Sequence, residues 1–277
     1  MCLAVIAYEF INDWPLVIVA NRDEFHDRPS APMQVWKDRP HILAGRDMRA
    51  GGTWFGMNSR GAIALLTNVR EPGRTNPVAP SRGKLVESYL NDMMPAVDYA
   101  HHVASSDEDF NGFNLLLVDE HQGCVISNRA SQHLTPITPG VHGLSNASLN
   151  TPWPKLIRST QAVKHLLLDS PMPDADKMIS IMQDGRPADD HEIPHTGLSM
   201  ERERMLSSPF ILSDDYGTRC TTVLMRHRSG KTWITEVRYK SDGSVEGRSM
   251  WHRTPDCEFL EWSASDAFQD LNFDTNN

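Results

Sequence analysis

The sequence predicts an α+β fold, a four-layer αββα sandwich in which two antiparallel sheets pack face to face and helices cover each outer surface. Three observations lead there. Strand-like and helix-like stretches are segregated along the chain (strands, two helices, strands, two or three helices, strands) and do not alternate as βαβ units. Most strands are joined by short turns rich in Asn, Asp, Gly and Ser, which suits antiparallel hairpins. At 277 residues, 39% hydrophobic and 23% charged, the chain can bury a large core and is too apolar for a disordered protein. The length, with no internal repeat or clear linker, is read as one domain over 1–277.

The elements follow in order. Residues 2–10 and 16–24 form a hairpin closed by Ile11-Asn12-Asp13-Trp14-Pro15. Its second run, Leu16-Val17-Ile18-Val19-Ala20, is apolar without interruption, as in a strand buried on both faces, and ends in the polar Asn21-Arg22-Asp23-Glu24. Short strands are expected at 34–36, 41–44, 53–57 and 61–68. Gly51-Gly52-Thr53-Trp54-Phe55-Gly56 reads as a turn with close backbone packing and does not match a G-x-G-x-x-G loop. Ser81 is placed to cap a helix over 82–91 with Leu85, Val86 and Leu90 on one face, and a second helix spans 96–104. A hairpin of 113–119 and 124–128 and a strand at 134–137 come next. Pro152-Trp153-Pro154 opens a helix to residue 168, where Leu156, Thr160, Val163 and Leu167 recur at helical spacing, and 176–183 forms another. Residues 185–208 are polar and Pro-rich, a surface excursion. Strands at 218–226, 232–239 and 245–251 complete the chain.

Composition excludes several functions. The net charge is −9 and Lys and Arg are scattered, whereas nucleic-acid binding needs a basic stripe. The apolar runs fall far short of the roughly 20 residues that span a bilayer. Met1-Cys2-Leu3-Ala4 lacks the basic start of a secretory signal. Cys2, Cys124, Cys220 and Cys257 form no C-x-x-C pair, so a cytoplasmic protein with free thiols is expected. The sequon Asn146-Ala147-Ser148 then has no consequence. His191-Glu192-Ile193-Pro194-His195 has the letters of a zinc-protease helix, but Pro194 disfavours the helix that would put both imidazoles on one face. No metal site is expected.

Cys2 is the residue with a chemical opportunity. If Met1 is removed, the thiol and a free α-amine share one residue. The amine, with an intrinsic pKa of ~7.7 to 8, is a general base at neutral pH. The thiol needs a nearby cation to become a good nucleophile. The hairpin brings Arg22 and Asp23 towards Cys2, Arg22 to favour the thiolate and Asp23 to orient the amine. A surface cluster of ion pairs at Arg22-Asp23-Glu24 is the alternative.

Asn21-Arg22-Asp23-Glu24 spells the signature of the NRDE family, also called the transport-and-Golgi-organisation family. Gly51-Gly52-Thr53-Trp54-Phe55-Gly56, Ser81-Arg82-Gly83, His142-Gly143-Leu144-Ser145-Asn146, Thr151-Pro152-Trp153-Pro154-Lys155 and Tyr216-Gly217-Thr218-Arg219 resemble that family too. The family in turn resembles N-terminal-nucleophile (Ntn) hydrolases of the choloylglycine hydrolase and penicillin V acylase type, which use a Cys directly after Met. The resemblance implies an αββα fold and a nucleophilic Cys2. It implies an Arg and an acid at the end of the next strand, spaced Arg-x-x-Asp in those enzymes. Here Arg22 and Asp23 are adjacent, and Asn21 with Glu24 is the other candidate pair. It also implies Asn68 and Asn146 as oxyanion donors and Arg219 as a late-strand arginine.

The leading expectation is an Ntn amidohydrolase acting on a small acylated molecule, with Trp54, Phe55 and Trp153 as apolar surfaces for the acyl group and no cofactor. The rival is a non-enzymatic binding protein on the same fold, because the family has been linked to haem mobilisation and to lipid or acyl-CoA metabolism. A haem carrier would draw its axial ligand from Cys2, His142 or Tyr216. A scaffold with an idle site, Cys2 blocked by Met1, is a third reading.

Overall fold

The computed structural model describes residues 2–170 and 172–262. Among them, two seven-stranded sheets form, with every neighbouring pair of strands antiparallel. The first sheet runs, edge to edge, β10 (Gly140–Leu144), β1 (Cys2–Ile11), β2 (Trp14–Phe25), β11 (Tyr216–Arg226), β12 (Thr232–Tyr239), β13 (Val245–Arg253) and β14 (Phe259–Glu261). The second follows chain order: β3 (Ser30–Trp36), β4 (Arg39–Asp47), β5 (Phe55–Asn58), β6 (Ile63–Asn68), β7 (Phe113–Val118), β8 (Gly123–Ser127) and β9 (Leu134–Pro136).

Side-chain alternation builds the layers. On β1, Ala4 and Ile6 face the second sheet, where they meet a core that includes Leu43, Met57, Ile63 and Leu116. Leu3, Val5 and Ala7 face the opposite way, onto α3 (Pro154–Asp169) and α4 (Ala175–Met182), through Leu156, Val163, Met178 and Met182. The second sheet does the same: Ala64, Leu66, Leu115 and Leu117 turn outward onto α1 (Gly83–Asn91) and α2 (Ala96–Ala104) through Val86, Tyr89, Leu90 and Tyr99. The four layers therefore run α1 and α2, sheet, sheet, α3 and α4. No helix among the described residues is long and apolar enough to cross a membrane.

The uninterrupted apolar run of β2 has its reason in this topology. β2 lies between β1 and β11, with the interior of the sandwich on one face and the α3–α4 layer on the other.

Several details differ from the sequence expectation. α1 is capped by Arg82, without a side-chain cap bond from Ser81, because its first turn is docked against the glycine turn. The Thr53 N–H donates to the Gly83 carbonyl at 3.3 Å, and a Cβ on Gly52 would lie 2.6 Å from the Gly83 backbone. Gly51 turns there at φ +79°. β10 and β14 are strands that the sequence reading left out. β10 carries a glycine at 143 because α3 crosses it closely there: a Cβ on Gly143 would sit 2.5 Å from Leu156.

The 185–208 excursion is partly helical. It contains a 3₁₀ turn at Asp190–Glu192 and α5 (Met200–Met205). Glu203 anchors it through a 2.7 Å ion pair with Arg70 in which both side chains are buried. His191 lies on the 3₁₀ turn and His195 beyond it, past an extended Ile193.

Candidate active site

Strand register assembles the site. Cys2 opens β1 directly opposite Arg22 of β2. On the other side of β2, Asp23 faces Thr218 and Arg22 faces Cys220, so Arg219 is the extra residue of a bulge in β11. The local irregularity lets Thr218 Oγ1 donate to Asp23 Oδ1 at 2.7 Å while accepting the Ile211 N–H at 2.9 Å. The Arg22 guanidinium lies over Trp54, 4.1 Å from the ring centre, and its Nη1 is 3.4 Å from Ser30 Oγ.

These groups open onto a cleft of about 330 Å³ whose walls include Cys2, Arg22, Asp23, Glu24, Trp54 and Asn68. The strand ends from both sheets thus bring six of the eleven sequence-derived site residues to one cavity. Glu24 sits there with Oε1 accepting the Phe25 N–H at 2.9 Å and Oε2 4.0 Å from Arg28.

Asn146 lies beneath the cleft. Its Nδ2 donates to the Asn68 carbonyl at 2.9 Å and so fixes the end of β6. Ser145 Oγ, 3.1 Å from the Cys2 carbonyl and 3.3 Å from Asn146 Oδ1, links that support to β1. Arg219 points away, across the far side of Trp54, and its Nη1 donates to the carbonyls of Phe25 (3.0 Å) and His26 (3.2 Å) just after β2.

The remaining candidates stand elsewhere. Asn21 faces the helix layer, where its amide donates to the Met182 and Pro209 carbonyls at 2.8 and 2.9 Å and accepts from Thr221 Oγ1 at 2.6 Å. Phe55 is buried between the sheets. Trp153 caps α3 beneath the Arg70 guanidinium, 4.7 Å from its ring centre. Of the residues considered for haem, both ring nitrogens of His142 are in hydrogen bonds, to the Thr138 carbonyl at 2.8 Å and the Asn150 amide at 3.1 Å, and Tyr216 is buried against Phe25.

Two participants escaped the sequence reading. Asn114 on β7 is fully buried and donates towards Thr67 Oγ1 at 3.0 Å and the Ala147 carbonyl at 2.9 Å, holding the Ser145–Asn146 segment against β6. A lone Asn inside Phe113-Asn114-Leu115-Leu116-Leu117-Val118 was the signal. Lys155, second residue of α3, is 1% exposed, with no hydrogen-bond partner on Nζ. Burial pulls its pKa down to about 8, against the opposing pull of Asp23 and Cys2.

Electrostatics ties these groups together. Burial pushes the Cys2 thiol up, Asp23 adds to that push, and Arg22 opposes it. Asp23 is likewise raised by burial, with Lys155 the largest opposing influence. The site is therefore a cluster of acid, base and thiol in which each charge depends on a neighbour.

A profile of the family described as Transport and Golgi organisation 2 matches residues 1–241. The Transport and Golgi organization 2 homolog of Mus musculus is 31% identical over 240 residues, spanning 81% of this chain and 87% of that protein. The chain belongs to the Transport and Golgi organisation 2 family. The homologues of Bos taurus and Homo sapiens are 33% and 32% identical over the same shares. Solved structures similar to this member of the family include a Caenorhabditis elegans N-acylethanolamine-hydrolyzing acid amidase ortholog, with a TM-score of 0.48 and 13% identity over 80% of this chain and 92% of that one. A conjugated bile acid hydrolase mutant from Clostridium perfringens aligns with a TM-score of 0.47 and 9% identity over 95% and 97%. The layered architecture itself stands on the sheet topology described above.

Proposed function

We propose that the chain is an N-terminal-nucleophile amidohydrolase that cleaves the amide of a small acylated molecule through Cys2. The observation that carries this reading is the register of β1 on β2, which sets the Cys2 thiol beside Arg22 and Asp23 at the wall of an open cleft. A thiol raised by burial is a poor nucleophile until a base stands next to it, and removal of Met1 would create that base on the same residue. The α-amine takes the thiol proton, Asp23 orients the resulting ammonium, and Arg22 favours the thiolate. Sulfur then attacks the amide carbonyl, and the amide of Asn68, a residue of the cleft wall, receives the developing oxyanion, with Asn146 holding the Asn68 backbone in place. The tetrahedral intermediate expels the amine, which leaves with the proton held by the α-amine. Water, deprotonated by the same amine, hydrolyses the thioester. Arg219 acts through the loop after β2, whose carbonyls it holds.

The cleft lining supports hydrolysis over haem carriage. Charged and amide side chains make up nearly half of it, and among the described residues Cys2 is its one haem-ligating type; no His, Met or Tyr lines it. The test is a screen of acyl amides with wild type, Cys2→Ala and Cys2→Ser. The reading expects turnover that Cys2→Ala abolishes and Cys2→Ser lowers by at least about 100-fold, the scale of losing an activated nucleophile. Turnover that survives Cys2→Ala would refute it.

A further inference from the structure

Charges in the cleft do not cancel where they stand. Three arginines and three carboxylates line it, but their pairing is uneven. Arg28 takes two of the acids, Asp47 at 2.8 Å and Glu24 at 4.0 Å. Asp47 also accepts the N–H groups of Arg49 and Ala50, at 2.9 and 3.1 Å. The third acid, Asp23, is bonded to Thr218 and faces Lys155. Arg22 and Arg82 are left. Neither has a carboxylate oxygen within 4.0 Å among the described residues.

Arg22 is 5% exposed, and among the described residues the one hydrogen bond of its side chain is the long contact to Ser30. Arg82 donates Nη1 to the Gly112 carbonyl at 2.9 Å. Glu24 is near enough to favour the charge on Arg82 but is held by Arg28 and the Phe25 N–H. A buried guanidinium without an ion-pair partner is costly, and although Glu236 and the Cys2 thiol feel the Arg22 charge, neither is paired with it. Trp54 lies against the Arg22 guanidinium and Nη1 is directed at Ser30, while Nε and Nη2 make no hydrogen bond among the described residues and are left to donate to the oxygens of a planar acid.

We propose that the substrate carries a carboxylate, held between Arg22 and Arg82 in the cleft that Cys2 lines. The inference rests on the hydrolytic reading and narrows its substrate to small acylated molecules bearing an acid. A cleft of about 330 Å³ is near the low end for small-molecule sites, which fits a compact acid. Arg82 becomes a substrate-binding residue contributed by the cap of α1, far in sequence from Cys2 and Arg22.

The test needs no substrate. Iodoacetate and iodoacetamide each transfer a two-carbon group to a thiolate with loss of iodide, and differ in that only the first carries a carboxylate. For an ordinary thiolate the neutral reagent is faster, because two anions repel. Labelling rates are read at the Cys2 peptide and, as reference, at free glutathione in the same solution, because the exposed Cys257 has Arg253 Nη2 3.2 Å from its sulfur and is not an ordinary thiol. The ratio of iodoacetate to iodoacetamide rate should be at least about tenfold higher at Cys2, the worth of one contact of ~1.4 kcal/mol. High salt and Arg82→Met should lower the iodoacetate rate more than the iodoacetamide rate, and Arg82→Lys should restore part of the difference. An equal or lower ratio at Cys2, or no labelling of Cys2 by either reagent, overturns the proposal. A chain that hydrolyses amides through Cys2 yet fails the ratio loses the carboxylate alone; one that passes yet hydrolyses nothing loses the hydrolytic reading alone.

Discussion

Lys155 shows how a single side chain sets the electrostatics of the candidate site. It is buried at the start of α3, where the helix dipole disfavours a cation, and no hydrogen bond relieves it. Its pKa near 8 lies below the ~10.4 of an exposed lysine. Between those values the unfolded chain keeps the proton and the folded chain has released it, so the Lys155 contribution to stability rises with pH by up to about 3 kcal/mol. Buried thiols and tyrosines, raised in the fold, act in the opposite sense, Cys124 and Tyr99 both reaching about 12. The difference between wild type and Lys155→Met isolates the lysine. In denaturant titrations from about pH 8 to 10, wild type should gain stability relative to the variant. A difference that stays flat contradicts the assignment of Lys155 as a strained cation. Sequence could show Lys155 as part of Thr151-Pro152-Trp153-Pro154-Lys155 but not its burial, because a lysine at a helix start ordinarily faces water.

At the scale of elements, the excursion before β11 is held by one buried contact more than by its own propensity. α5 is six residues long, too short to persist unaided. Glu203 accepts the Thr196 N–H and Oγ1–H at 2.7 and 2.6 Å and pairs with Arg70, which stacks on Trp153. Desolvation works to raise the Glu203 carboxyl, but these bonds and the Arg70 charge win and hold it below its ordinary value. Its stabilising effect is present above the usual ~4.3 and is lost as pH falls through the lower folded value. Glu203→Gln leaves Arg70 buried without its anion and should cost about 3–5 kcal/mol. Hydrogen exchange should then quicken across residues 186–205 before the sheets respond. Unchanged protection there would mean that the excursion is held by the Leu206–Ile211–Tyr216 cluster instead. A polar, proline-punctuated stretch reads as loop because its anchor, Arg70, lies 133 positions away.

For the whole molecule, the αββα layering was legible because strand alternation and helix periodicity are local. The paired strands of residues 2–24 and the helices over 96–104 and from Pro154 needed no distant partner to be seen. Sheet order was not legible. β2 pairs with β11, and contacts such as Asn21 to Thr221 join residues 200 positions apart, which no local pattern announces. The same holds for the site. Cys2, Arg22 and Asp23 share a hairpin and could be grouped from sequence, whereas the supports Thr218, Asn114 and Lys155 come from three distant elements.

In the hydrolytic mechanism Cys2 carries both nucleophile and base. The most direct measurement is the intact mass of untagged protein before and after a brief pulse of thiol alkylator, with the modified peptide mapped. The mechanism requires a chain that has lost Met1 and a Cys2 that is labelled well before Cys124 and Cys220, both buried and raised. A chain that retains Met1, or a Cys2 as inert as those two, contradicts it.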